Sequence, residues 1–383
     1  MEAEVAQPFG EGPDGVGLFD DVEREQRVVA AAREWRRTLF DEGFGWIDGP
    51  PEHGGRGLPR HFAKTFAKEM EAFAVPDQMR LSIGLGMVGP TIAAHGSASA
   101  KATYLSAIYR GDIVACQLFS EPGAGSDLAA IHTRAERTPD GWRIDGQKVW
   151  TSGAHFSDVG MALVRTGPEE SRNRGLTMLL IDMHAPGVEV RPLRQMTGDA
   201  SFDEVFLDGV ETSDDNRLGE VDQGWSVMMT TLLNERGSIG GGGRGVGGGD
   251  YLLNRLVEVA RQRHLNDEPM IRQRIADLTA RVSIGTWFQM RMAAIDSNGR
   301  DPGPLAALAK VILTDNLQRT SALATAVIGP ALVADTSEWG TYAWGELILG
   351  TPGLRIGGGT DEVQKNMLGE RVLGLPREPR HRP

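Results

Sequence analysis

The chain has 383 residues, 40% of them apolar, and a formal net charge of −12 from 52 acidic and 40 basic residues. That length can bury a core spread over two or three domains, whereas the acidic balance offers nucleic acid or an anionic membrane only the short basic tail Arg377 to Arg382. Cys116 is the single cysteine, which excludes an internal disulfide and any cysteine-based zinc cluster and fits a reducing cytoplasm.

The start, Met1-Glu2-Ala3-Glu4, is acidic where a signal peptide is basic, so the expectation is an unexported, cytoplasmic protein. From Asp20 to about Gly111 the apolar spacing is helical, as in Val28-Val29-Ala30-Ala31-Ala32 and Phe62-Ala63-Lys64-Thr65-Phe66-Ala67. Between about Ile113 and Val221 the period changes to two. Asp145-Gly146 and Asp208-Gly209 read there as hairpin turns, which predicts a β-domain.

The helical period returns from about Trp225, with long runs from Ile271 to Met292 and Leu305 to Val327, and predicts a helix bundle. The apolar stretch Leu323 to Ala334 is interrupted by Gly329 and Pro330 and falls short of the roughly 20 residues that span a bilayer, so no membrane insertion is expected. In the last predicted helix Thr360 is the cap, Asp361 and Glu362 fill the first turn, Val363, Met367 and Leu368 form an apolar face, and Gly374 and Pro376 end it. The expected spans are 1–112, 113–222 and 223–383, helical, then β, then helical.

Three segments carry a resemblance. They are Cys116-Gln117-Leu118-Phe119-Ser120-Glu121-Pro122-Gly123-Ala124-Gly125-Ser126-Asp127, then Gly141 to Ser152 (GWRIDGQKVWTS), and finally Gly358-Gly359-Thr360-Asp361-Glu362-Val363-Gln364-Lys365-Asn366 with Glu370 to Pro376. With Pro51-Glu52-His53-Gly54-Gly55-Arg56-Gly57-Leu58 near the start, the chain resembles the acyl-CoA dehydrogenase family, in particular its bacterial FadE-like flavoproteins, over nearly its whole length. The resemblance implies an α+β fold with an N-terminal helical domain, a middle β-barrel or sandwich domain and a C-terminal four-helix bundle. It also implies non-covalent FAD and a place in fatty-acid β-oxidation.

By the same resemblance Phe119, Ser120, Trp150 and Ser152 line the flavin ring, and Ser126 contacts the flavin or the pantetheine arm of the thioester. Thr360 and Glu362 belong to a region that reaches the diphosphate or adenosine part of FAD across a subunit interface. A bound flavin needs hydrogen-bond donors at its ring edge and a flat apolar wall, and those residue types supply both. Ordinary turns at the glycines and plain helix capping at Thr360 are the structural alternatives.

The family reaction removes the α-proton of an acyl-CoA thioester with a glutamate while the β-hydrogen leaves as hydride to flavin N5. Such a base works in an apolar pocket that raises its pKa. Many relatives place it just before the Gly-Thr of the last segment, but here that position is Gly358. Another branch carries an acidic residue followed by arginine on an earlier helix, and Leu232-Leu233-Asn234-Glu235-Arg236 matches it, making Glu235 the candidate base and Arg236 a substrate-binding neighbour. The alternative is a pair of charged neighbours on a solvated face.

Gly240 to Gly249 holds eight glycines and formally satisfies G-x-G-x-x-G, but no strand precedes it, so a dinucleotide site is rejected and a loosened helix expected. No histidine spacing reads as a metal site, and His155 reads as a packed or loop residue. The resemblance implies an electron-transfer flavoprotein as acceptor and assembly as a homodimer, homotetramer or heterotetramer. An acyl-CoA oxidase, a nitroalkane-oxidase-like enzyme, a flavin monooxygenase or a non-catalytic partner subunit on the same scaffold are the other readings.

Overall fold

A computed structural model of the chain describes residues 22–70, 72–198, 200–239, 249–297, 303–333 and 342–377. Backbone contacts divide it into two compact units, one running from Asp20 to Glu235 and the other from Arg236 onward.

The first unit opens with helices α1 (Val22–Asp41), α2 (Arg60–Met70), α3 (Gly89–His95) and α4 (Ala98–Arg110). Local chemistry sets the bounds of α4. The Ser97 hydroxyl accepts the Ala100 N–H at 2.9 Å, and Gly111, at φ 83°, closes the other end in the left-handed conformation that costs glycine nothing. The buried Arg36 of α1 donates to the Tyr109 carbonyl at 2.7 Å, and the Tyr109 ring stacks on Trp46 with centroids 3.8 Å apart.

Eight strands follow: β1 (Ala115–Leu118), β2 (Arg134–Thr138), β3 (Gly141–Ser152), β4 (Val159–Arg165), β5 (Leu176–Asp182), β6 (Val188–Leu193), β7 (Phe202–Ser213) and β8 (Arg217–Leu218). They form one sheet in the order β6-β7-β3-β2-β4-β5-β8, with β1 parallel to β4. Strands β4 and β5 are buried on both faces, and the period of two divides their side chains between two cores. Met161, Leu163, Met178 and Leu180 pack with Ile92, Leu105 and Ile108 of the helices, whereas Ala162, Val164, Leu179 and Ile181 pack with Trp142, Ile144, Val205 and Leu207.

Neither Asp-Gly pair makes the expected hairpin. Both lie inside long strands and face each other: Ile144 pairs with Val210 and Gly146 with Leu207, so Asp208 and Gly209 together oppose Asp145 in a β-bulge. Gly209 sits at φ 61° and its N–H donates to the Asp145 carboxylate at 2.8 Å. The glycines are needed for a bulge as much as for a turn, which is why the dipeptide misleads.

Helix α5 (Gly224–Ile239) begins in the first unit, where Val227 and Met228 join the helical core and the Thr231 and Thr91 hydroxyls lie 2.9 Å apart. In the second unit α6 (Gly249–Gln262), α7 (Pro269–Ser297), α8 (Ala306–Ile328) and α9 (Tyr342–Ile356) enclose a core that includes Leu256, Leu278, Leu317 and Trp344, and α10 (Asp361–Arg371) packs on α8. The expected apolar face of α10 differs from the observed one: Val363 is exposed, while Asp361 and Gln364 are buried. Asp361 tolerates burial because Arg355 donates to it at 2.7 Å and the Thr314 hydroxyl at 2.8 Å. No helix among the described residues is long and apolar enough to cross a membrane.

Candidate active site

Strand β1 runs straight into the loop that the sequence singles out. The Phe119 side chain is buried in the helical core. Ser120 is half-buried, and its carbonyl accepts the Val149 N–H of β3 at 2.9 Å, which brings the two segments into direct contact. Glu121 and Ala124 exchange backbone hydrogen bonds of 3.1 and 3.0 Å in a tight turn. A Cβ added at Gly123 or Gly125 would meet nothing within 4 Å, and Ser126 is exposed, so the loop presents open backbone.

On the facing segment β3 alternates from Trp142 through Ile144 to a fully buried Lys148. A second irregularity follows, where Lys148 pairs with Val205 but Thr151 with Asp203. Trp150 lies in it at φ 59°, a left-handed backbone that is an outlier for a bulky side chain. The bulge turns the indole outward: Trp150 is 59% exposed, and the edge of Phe202 lies beside it at 6.0 Å between centroids. Thr151 is buried with an unpartnered hydroxyl, and Ser152 is exposed at the strand end. Open loop backbone, serines and an outward aromatic face fit the needs of a flat, heteroatom-edged ring.

Two ionic clusters that the sequence did not reveal support these segments. The Lys148 ammonium donates to Glu121 Oε1 at 2.8 Å and to the carbonyls of Phe119 and Leu163 at 3.1 and 2.7 Å. Burial pulls the Lys148 pKa down to about 8 against the opposing pull of Glu121. Burial alone would raise the Glu121 carboxyl, but Lys148 and the N–H groups of His132 and Thr133 outweigh it and hold it low.

His155 bridges Asp203 of β7 at 2.8 Å and Glu25 of α1 at 2.6 Å, and Arg80 pairs with Glu25 at 3.0 Å. The bonds to Asp203 and then to Glu25, opposed by burial, push His155 up to about 9. His155 is thus packed, as expected, but as a charged bridge.

In the second unit the Thr360 hydroxyl caps α10 by accepting the Val363 N–H at 3.2 Å, and Glu362 is exposed. Gly358 and Gly359 precede it at φ 64° and 87°. Lys310 donates to the carbonyls of Gly357 and Gly359, and Gln364 to that of Gly358 at 3.0 Å, leaving Gln364 Oε1 buried and unpartnered. The backbone of Glu235 and Arg236 lies in α5, but their side chains fall outside the described residues, as does the glycine run expected to loosen the helix, from Gly240 up to Gly249, which opens α6. No metal-binding group of His, Cys, Asp or Glu occurs among the described residues.

Residues 18–112, 116–210 and 222–373 match, in order, the N-terminal, middle and C-terminal domains of acyl-CoA dehydrogenase. Acyl-CoA dehydrogenase IpdE1 of Mycobacterium tuberculosis is 38% identical over 360 residues, which cover 93% of this chain and 91% of that one. Among solved structures, the Tcur3481-Tcur3483 steroid ACAD aligns with a TM-score of 0.79 at 27% identity over 93% of each chain. The ChsE4-ChsE5 complex from Mycobacterium tuberculosis aligns with a TM-score of 0.75 at 27% identity over 94% of each. The chain belongs to the acyl-CoA dehydrogenase family of flavoprotein oxidoreductases, whose cofactor is FAD.

Proposed function

We propose that the protein dehydrogenates an acyl-CoA thioester between its α and β carbons to give the trans-2-enoyl-CoA, and passes the electrons to an electron-transfer flavoprotein. The observation that carries this reading is the outward, left-handed Trp150 beside the Phe119 to Ser126 loop, joined across the Ser120–Val149 bond. When bound, FAD supplies a hydride acceptor at N5.

The chain's own residues do the rest. Ser120, Trp150 and Ser152 face the ring, with Phe119 behind them. Ser126 holds the ring edge or the pantetheine arm, and Thr360 and Glu362 reach the distal half of the FAD of a neighbouring subunit. Glu235 takes the α-proton at its carboxylate, with Arg236 beside the thioester. The steroid named for one similar structure and the cyclohexane-1-carbonyl-CoA dehydrogenases among the relatives favour a bulky, ring-bearing acyl group.

One observation favours a second reading, a non-catalytic partner in a heteromeric enzyme. Gly358 lacks the base that many relatives carry at that position, and its left-handed φ suits glycine. The two structures above bear paired names, and one is called a complex.

Anaerobic titration of the purified chain with straight, branched and ring-bearing acyl-CoAs separates the two. Bleaching of the flavin absorbance that Glu235→Gln abolishes is the expected result. Bound flavin that no thioester bleaches would overturn the dehydrogenase reading in favour of the partner subunit.

A further inference from the structure

A buried ion pair joins the Ser120 loop to the strand that carries Trp150. Lys148 has no solvent exposure, and its three N–H donors have three oxygen acceptors, Glu121 Oε1 and the carbonyls of Phe119 and Leu163. Glu121 is as fully engaged: Oε1 also accepts the Thr133 N–H at 2.9 Å, and Oε2 accepts the His132 N–H at 2.6 Å. Removing two charges from water costs several kcal/mol per ion, and apolar residues of equal volume often stabilise a fold as well or better. Stability alone is therefore a weak reason for the pair.

Its position supplies a better reason. Lys148 stands two residues before Trp150 and Glu121 immediately after Ser120, and the ammonium also grips the Phe119 carbonyl. The only other hydrogen bond between these segments among the described residues is the Val149 to Ser120 backbone bond. An ammonium with all three donors fixed sets both the distance and the rotation of one segment against the other, which a greasy contact would leave free to slide.

We propose that Lys148 is a positioning residue. Acting through the Phe119 carbonyl and the Glu121 carboxylate, it holds the Ser120 loop and the Trp150 segment in the one relative placement that grips the flavin ring. This inference rests on the FAD-binding reading of those segments.

The test compares the wild-type holoenzyme with Lys148→Met and with the double variant Lys148→Met/Glu121→Leu, which removes both charges at similar volume. Thermal melting and gel filtration establish folding, and FAD titration with the visible spectrum of the bound flavin reads the platform. The expected result is a folded double variant whose FAD dissociation constant rises at least about tenfold. Its flavin band should also lose fine structure as the ring becomes looser and wetter.

A folded double variant with wild-type FAD affinity and spectrum would overturn the proposal. So would a double variant that fails to fold, since the pair would then be a requirement of the sheet itself. Wild-type protein that holds no flavin would overturn the FAD reading together with this inference, whereas flavin held equally by wild type and double variant would overturn this inference alone.

Discussion

Trp150 holds a backbone conformation, φ 59°, that costs a bulky L-residue on the order of 1–3 kcal/mol, and its indole is more than half exposed. Neither feature helps the fold, so their coincidence beside the Ser120 loop points to ligand contact. Stability and binding should therefore separate at this position. Trp150→Gly relieves the strain that Trp150→Ala retains, so the glycine variant is expected to be at least as stable as the alanine variant in chemical denaturation, against the usual penalty of about 0.5–1 kcal/mol for glycine. Both variants should bind FAD more weakly. A glycine variant clearly less stable than the alanine one would mean the left-handed conformation is not strained.

A similar contrast separates two glycines. A Cβ at Gly146 would lie 2.6 Å from the Thr133 Cα, whereas one at Gly125 meets nothing within 4 Å. Gly146→Ala is expected to destabilise the protein by about 2 kcal/mol or more by overpacking against the Thr133 backbone. Gly125→Ala should leave the melting temperature unchanged while weakening FAD, because on the proposed reading the flavin approaches the backbone there. Equal melting of both variants would remove the distinction.

At the scale of elements, the His155 bridge fastens α1 to β7 next to the Trp150 segment. Its folded pKa of about 9 lies above the ordinary 6.5. The bridge's contribution is therefore complete below about pH 6.5 and lost as pH rises through 9. Lys148, depressed to about 8 from an ordinary 10.5, works in the opposite direction as pH rises above 8 and obscures the wild-type profile where the two ranges overlap. It is common to wild type and His155→Gln, so the difference between them isolates the histidine. The melting-temperature gap should be largest near pH 6 to 7 and close toward pH 10. A gap independent of pH would show that the imidazole acts only by packing.

These elements also show what a sequence discloses. The alternation Trp142, Ile144, Lys148 already places the lysine inward, so its burial was legible from the strand period. Its partner was not: Glu121 stands 27 residues away and is brought near by sheet pairing that no local pattern encodes. The Asp-Gly pairs misread as turns fail for a related reason, since turn and bulge demand the same backbone freedom and only the partner strand decides between them. The Thr360 cap, by contrast, is a contact within one helical turn and was readable directly.

At the scale of the whole molecule, α7 carries an exposed apolar stripe. Ile284, Trp287 and Met290 recur every three residues along one stripe and are 52%, 66% and 66% exposed. A stripe of this kind on a long helix is expensive to leave in water, at about 25 cal/mol for each Å² of apolar surface. The resemblance implies dimers or tetramers, and a second copy of this chain is expected to cover the stripe. Trp287→Glu places a charge that an apolar interface cannot solvate, so sedimentation should show the variant in a smaller species than wild type, with the circular dichroism of the helices retained. Should the variant keep its wild-type mass, the stripe lies outside the assembly interface. If the smaller species also releases FAD, the assembly completes the cofactor site; if it holds FAD as tightly as before, each chain binds its own.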